Sequence, residues 1–445
     1  MTRDDLRREL LARLQRVEKI VRADLLAQYR ADPALLARAL ARLREEENDV
    51  AGKDTWLDVF AGRAAVIYLL KSLYVRVLED QRLLATVRIR DGGTYSLFRT
   101  LFPQLGHAAY LRTVFTEGER ALPDLFARTP VEIAEPSERS AQALWSVWQE
   151  ASPGGGPLFD FRGDLDTRFI GDLYQDLDPD VRKRYALLQT PHFIEAFILD
   201  RTLEPALADF GLPEFRMLDP TCGSGHFLLG AFERLFRAWS AELGGGDAVR
   251  WEAASRALDG VYGADLNEYA CALSRFRLLL GVVAATSERD LGRLRTLHPH
   301  VLACDSLIPW ERISREMLPG TAGISWLARY GNNTERERNE AFFACGFHAV
   351  VGNPPYISVQ DKKKREDYKR AWPRSASGKY SLSAPMTERF LLLPIAGGRT
   401  GLIVANNFCK REFGKGVVEK ALRDVRLNLV VDTSGAYIPG HGRRP

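Results

Sequence analysis

Leu6, Leu10, Leu14 and Val17 recur at spacings of three and four residues in a run otherwise rich in Arg and Glu, which predicts a single apolar stripe on a solvated helix. Residues 37–46 repeat the pattern. From Trp56 to Leu78 the chain is apolar on every side, the mark of a helix buried among others. Residues 1–128 therefore read as an α-helical domain, and the mixture of both charge signs on its polar faces favours scaffold helices over membrane-surface ones. Between 129 and 162 the composition turns to Pro, Ser and Gly and ends in Ser152-Pro153-Gly154-Gly155-Gly156-Pro157, which reads as a linker region.

From residue 163 to 445 the pattern changes to short β-like runs alternating with helix-like ones. Strands are expected at Arg216 to Leu218, Val261 to Gly263, Val301 to Ala303, His348 to Val351, Thr400 to Ala405 and Leu427 to Val431. Strands separated by helices predict an open parallel α/β sheet, whose ligands bind at the carboxyl ends of its strands.

Composition narrows the class without naming a function. A chain of 445 residues that is 46% apolar and 27% charged has the makeup of a folded globular protein. The net charge of +4 makes any nucleic-acid footprint local, and the 62 basic residues divide into 12 Lys and 50 Arg. Five cysteines without a CxxC pair indicate neither a disulfide framework nor a zinc site, and no metal is expected. The N-terminus has no apolar signal region, and stretches such as Ala64 to Leu70 fall short of the roughly 20 residues that span a bilayer, so a cytoplasmic protein without a membrane partner is expected. Residues 1–150 hold no Asp followed by a Glu-x-Lys after a strand, which argues against a nuclease.

Four strand ends carry candidate chemistry. The first is Asp219-Pro220-Thr221-Cys222-Gly223-Ser224-Gly225-His226-Phe227, running into a helix. Its small turn lets backbone approach a ligand at the helix N-terminus. It lacks both the Lys-Ser/Thr of a triphosphate loop and the three glycines of a dinucleotide loop. Asp219 would repel a phosphate and suits a cationic ligand such as S-adenosylmethionine, which bears an ammonium and a sulfonium. Asp265, ending the next strand, can accept both hydroxyls of a ribose, or simply cap a helix. Asp305 can accept an adenine amine, or cap the turn that follows.

The fourth end is Asn353-Pro354-Pro355-Tyr356. Two prolines stiffen the segment and leave carbonyl acceptors without matching donors. The Asn353 amide oxygen and the Pro354 carbonyl can both accept hydrogens from one exocyclic amine, while Tyr356 offers a face on which its base stacks.

Asp219 to Leu229 and Asn353 to Tyr356 resemble the cofactor loop and catalytic tetrapeptide of DNA methyltransferases that act on amines, in the chain order of the gamma-type adenine N6 enzymes. Leu188-Gln189-Thr190-Pro191 and the helix from His192 resemble the element that closes over the methionine part of the cofactor. The segments Arg168 to Gln175 and Val431 to Gly442 resemble the methyltransferase of the phage-defence systems called BREX or phage growth limitation, especially their type 2 branch. The resemblance implies a Rossmann-like S-adenosylmethionine-dependent sheet, with Thr190, Asp219, Pro220, Gly223, Gly225, Phe227, Asp265 and Asp305 on the cofactor. Asn353, Pro354, Pro355 and Tyr356 would be catalytic.

The implied reaction is methyl transfer to N6 of an adenine flipped out of double-stranded DNA, with Asn353 and Pro354 orienting the amine more than deprotonating it. Cytosine N4, RNA or a protein glutamine are the alternative targets, and a catalytically silent, cofactor-binding component of a defence complex is the alternative role. Relatives are longer and carry a target-recognition region after the catalytic domain, so the chain, ending at Arg443-Arg444-Pro445, is expected to be C-terminally truncated. Other defence-system subunits are expected partners. Lys362, Lys363, Lys364 and Arg365 follow the tetrapeptide and could grip phosphates, or form an ordinary solvated helix face.

Overall fold

The computed structural model describes residues 3–46, 53–152, 155–162, 167–177, 190–312, 330–359, 361–405 and 414–433. Of the sequence expectations, Pro153, Gly154, Leu188, Gln189 and 434–442 lie outside these residues. The described chain divides into two compact units, one of residues 1–189, 223–261 and 269–301, the other of 190–222, 262–268 and 302–445.

In the first unit the helix Arg3–Ala31 buries Leu10, Leu14, Val17, Val21 and Leu25, continuing the predicted stripe by two more turns. It packs on the helix Lys53–Asp80, which is buried almost all round, as its uniform apolarity requires. The segment 168–175 lies in the helix Thr167–Leu177, with Ile170, Leu173 and Tyr174 buried. The helix Glu268–Thr286 is long and apolar enough to cross a membrane, but 56% of its apolar window is buried inside the protein.

The stretch 129–162 is not the loose linker its composition suggests. It contains the helix Glu138–Ser146 and is stapled along its length to the helix Lys53–Asp80. Lys71 pairs with buried Glu132 at 2.6 Å, Tyr68 donates to the Ala134 carbonyl at 2.9 Å, and Trp148 Nε1 donates to Ser72 at 3.1 Å. Arg76 and Gln81 donate to the carbonyls of Phe159 and Phe161, each at 2.5 Å. Of the described Pro and Gly residues here, Pro157 bridges Ala151 and Gly155 takes the left-handed φ of +81°. They punctuate ordered structure rather than interrupt it.

Five strands form one sheet: β1 (Met217–Asp219), β2 (Val261–Asp265), β3 (His300–Ala303), β4 (Phe347–Gly352) and β5 (Pro394–Leu402). Their order is β3-β2-β1-β4-β5, and β4 runs parallel to both β1 and β5. Chain order therefore reverses between β1 and β4, where a doubly wound sheet opens its ligand crevice at the carboxyl ends. The last strand starts earlier than predicted, because an irregularity between Phe347 and Ala349 absorbs extra residues around Gly397 and Gly398 of β5. Among the described residues the expected strand Leu427 to Val431 does not form: these residues join no ladder, and Leu427, Leu429, Val430 and Val431 are exposed.

In the second unit an apolar core including Leu218, Ala264, Phe347, Val350, Trp372 and Phe390 holds the strand ends in place. The helix His192–Phe210 packs on β4 and β5, so closely that a Cβ at Gly401 would fall 2.5 Å from Thr202 Cγ2.

Candidate active site

The carboxyl ends of β1, β2 and β3 are joined by backbone. Cys222 N–H donates to the Ala264 carbonyl and Cys304 N–H to the Asp265 carbonyl, each at 2.9 Å, and Ser306 Oγ donates to the Pro220 carbonyl at 2.5 Å. Three loops distant in sequence thus share one rim within the second unit.

Asp219 is 1% exposed. Its Oδ1 accepts from Thr221 N–H at 2.9 Å and Thr221 Oγ1 at 3.3 Å. Burial, with the negative charge of Asp265 adding to it, overrides those hydrogen bonds and pushes the carboxyl up to about 8. The carboxyl is largely protonated at neutral pH. On the adjacent strand Gly352 passes so close that a Cβ there would lie 2.5 Å from Asp219 Oδ1 and 2.9 Å from the Phe390 ring. Only glycine fits at that crossing, and the Asn353–Tyr356 tetrapeptide begins at the next residue.

Asp265 is half-buried at the end of β2, and its Oδ1 accepts from Asn267 N–H at 2.8 Å. That bond is the local turn contact anticipated by the capping alternative. Asp305 is more heavily engaged than its sequence suggests. Its Oδ2 accepts from the Tyr368 hydroxyl at 2.6 Å and pairs with Lys364 Nζ at 2.9 Å, while Oδ1 accepts from Leu307 N–H at 3.2 Å. Behind it, fully buried Arg389 holds Glu311 through both terminal nitrogens at 2.6 and 2.8 Å and donates to the Ser306 carbonyl at 3.0 Å. A planar guanidinium suits that bidentate task.

The tetrapeptide sits immediately after β4, with Pro354 buried and Asn353, Pro355 and Tyr356 half-buried. Asn353 Nδ2 donates to Thr190 Oγ1 at 3.2 Å. The Tyr356 hydroxyl lies 2.5 Å from Asn353 Oδ1 and 3.1 Å from the Ile403 carbonyl, and donates to them. Burial raises the Tyr356 phenol well above its ordinary value, so it is a donor throughout the physiological range. The sequence proposed only the ring face of Tyr356; its hydroxyl turns out to meet the same amide oxygen proposed to receive the amine. After the turn, Leu382 N–H donates to the Ile357 carbonyl at 2.8 Å and pins the outgoing chain.

The basic run forms the helix Lys362–Ala371, capped by Asp361, which accepts from the N–H groups of Lys363 and Lys364. Lys362 and Lys363 are exposed. Lys364 is committed to Asp305, and Arg365 donates through Nε and Nη2 to the Val359 carbonyl, so two of the four proposed phosphate ligands serve the fold.

Gly223, Gly225 and Phe227 belong to the first unit. Both glycines take left-handed φ values, +52° and +84°. Ser274 Oγ donates to the Gly223 carbonyl at 2.8 Å, and buried Arg277 donates to the Ser224 carbonyl, so the helix Glu268–Thr286 shapes this loop. Phe227 is buried in the helix His226–Glu242. The sequence reading missed Gly352, Lys364 as a partner of Asp305, Tyr368, Arg389 and Arg277. Arg389 was detectable as the one cation in an otherwise mostly apolar helical run, and Arg277 as one of two, with Arg275, in another, whereas Gly352 and Tyr368 have no local signal.

Residues 259–438 match the family model of the Eco57I restriction-modification methylase. Over 98% of its length the chain is 37% identical to the adenine-specific methyltransferase PglX of Streptomyces coelicolor, and it spans 39% of that protein. Among solved structures, the DrdV–DNA complex determined by cryo-electron microscopy superposes with a TM-score of 0.54 at 13% identity, covering 95% of this chain and 37% of that one, a likeness of fold. Together with the sheet order and the strand-end loops, these matches make residues 259–438 similar to the Eco57I restriction-modification methylases.

Proposed function

We propose that the chain transfers a methyl group from S-adenosylmethionine to the N6 amine of an adenine flipped out of double-stranded DNA, as the cytoplasmic modification component of a phage-defence system with further subunits. The observation that carries this reading is the Asn353–Tyr356 turn, set at the sheet's switch point directly after the strand that passes Asp219. The adenine specificity in the name of PglX supports adenine as the target, and the DNA complex formed by DrdV supports DNA as the substrate.

The donor set fits the cofactor. A carboxyl raised by burial, with a neighbouring carboxylate adding to it, is a setting that a cationic ligand relieves. Within the second unit, Thr190, Asp219, Pro220, Asp265 and Asp305 would hold it. Asp305 would do so with Lys364 and Tyr368 already on its carboxylate. S-adenosylmethionine supplies an electrophilic methyl group when bound.

The chain's own residues supply orientation. Asn353 Oδ1 and the Pro354 carbonyl accept the two amine hydrogens and hold the nitrogen lone pair out of the ring plane, where it is available for attack. The Tyr356 ring supports the flipped base, partly offsetting an extrusion cost of a few kcal/mol. Lys362 and Lys363 contact backbone phosphates.

The reading is tested by incubating the purified chain with radiolabelled cofactor and unmodified genomic DNA, with RNA and protein in parallel, followed by nucleoside analysis. Labelled N6-methyladenine is the expected product. N4-methylcytosine, or label confined to RNA or protein, would overturn the substrate; no label with cofactor binding intact would make the chain a silent binding component.

A further inference from the structure

The amide of Asn353 has two ends, and only one helps the proposed reaction. With its oxygen toward the target amine it accepts a hydrogen; turned over, it would present a donor to a donor. The terminal torsion of an asparagine is soft, so nothing within Asn353 prevents the reversal. Its neighbours do. Thr190 Oγ1 lies 3.2 Å from Nδ2, and the Tyr356 hydroxyl 2.5 Å from Oδ1.

These two contacts differ in kind. Tyr356 has one hydroxyl hydrogen and a second acceptor in reach, the Ile403 carbonyl at 3.1 Å. When a target amine takes Asn353 Oδ1, the tyrosine hydrogen can turn to Ile403, and no buried hydroxyl is left unsatisfied. The tyrosine contact is therefore exchangeable. Thr190 is 9% exposed and precedes the helix His192–Phe210, which buries Ile198, Leu199, Thr202 and Leu203 and packs on β4 and β5. The helix that follows Thr190 is thus packed on β4, the strand that leads into the tetrapeptide.

We propose that Thr190 is a positioning residue for methyl transfer, anchoring the Asn353 amide through its nitrogen while the oxygen receives the amine, whereas the Tyr356 hydroxyl holds that oxygen only until the amine arrives. This rests on the amine-methylation reading above. It gives Thr190 a task distinct from the cofactor contact that the family resemblance implies.

The test is Thr190→Val, which keeps the shape and removes the acceptor, beside Thr190→Ser, which keeps the hydroxyl. At saturating cofactor and DNA, where any loss of cofactor affinity no longer limits the rate, single-turnover transfer by Thr190→Val should fall about 10-fold or more, the scale of a lost orienting contact. Thr190→Ser should recover most of the rate. In asparagine-labelled protein the Asn353 side-chain amide, identified by its loss in Asn353→Ala, should exchange with solvent faster in Thr190→Val and at the parent rate in Thr190→Ser.

A deficit that disappears when cofactor is raised to saturation would leave Thr190 a cofactor ligand only and overturn the inference. Serine failing as badly as valine, or unaltered amide exchange, would also overturn it. If the parent methylates no adenine, the functional reading fails, and amide exchange still decides whether Thr190 holds Asn353.

Discussion

The tetrapeptide 353–356 and the basic helix 362–371 are neighbours in sequence, and both were candidates for contact with a nucleic acid. Their side chains are used in opposite ways. In the turn, the polar groups of Asn353 and Tyr356 meet each other, Thr190 and Ile403 at the rim of the sheet. In the helix, Lys364 and Arg365 are drawn inward to Asp305 and the Val359 carbonyl, leaving Lys362 and Lys363 exposed. A stiff segment of uncommon residue types constrains its own geometry. A run of like charges does not, because each long side chain goes to whichever acceptor the fold places within reach.

The comparison breaks most readily at Asn353. Asn353→Ala should keep S-adenosylmethionine binding and lower single-turnover transfer by about two orders of magnitude or more, as loss of an orienting contact at the reacting atom requires. Equal losses of binding and transfer would place Asn353 on the cofactor instead.

The rim acids should give smaller effects. Asp265→Ala should weaken adenosine and S-adenosylmethionine equally, by about 1 to 3 kcal/mol or roughly 5 to 150-fold, measured calorimetrically. An unchanged affinity would reduce Asp265 to its turn contact with Asn267.

Asp219, raised to about 8, makes a prediction in pH. A cationic ligand favours the ionised carboxyl, so cofactor affinity should rise between pH 6 and 8, by up to about 10-fold per unit. Asp219→Asn should flatten that rise. Stability runs the other way: the folded state keeps a proton that an unfolded Asp releases near pH 3.9, so this stabilisation is complete at lower pH and is lost as pH rises through about 8. Thermal melts of the parent should lose stability over that range more than those of Asp219→Asn.

The smallest expected effects sharpen the division within the basic helix. Lys362→Ala and Lys363→Ala should each reduce the salt dependence of DNA binding by about one unit of slope without lowering the melting temperature. Lys364→Ala should lower the melting temperature and leave the slope unchanged. Equal salt effects from all three would mean that Lys364 leaves Asp305 when DNA binds.

Much of this architecture was legible before the fold. The amphipathic stripe of Leu10, Leu14 and Val17, the all-round apolarity of the following helix and five short strands are local patterns, each legible within a dozen or two residues. Two expectations failed for instructive reasons. The Pro, Ser and Gly of 129–162 mark turns equally in loose linkers and packed segments, and only the partners on the helix Lys53–Asp80 distinguish the two. Leu427 to Val431 has strand-like composition, yet a strand exists only where a neighbour completes its ladder, and none does among the described residues.

The sequence by itself determined the helical character of the N-terminal region, the α/β alternation that follows, and which residue types stand at each strand end, because periodicity and turn chemistry act between near neighbours. Tertiary structure alone decided that Asn353 meets Thr190 across 163 positions, that Tyr368 meets Asp305 across 63, and that glycine is required at position 352, where β4 passes Asp219. These choices depend on which strands lie side by side and how closely backbones approach. No local pattern records that, because many distant pairs share the same residue types and only packing selects among them.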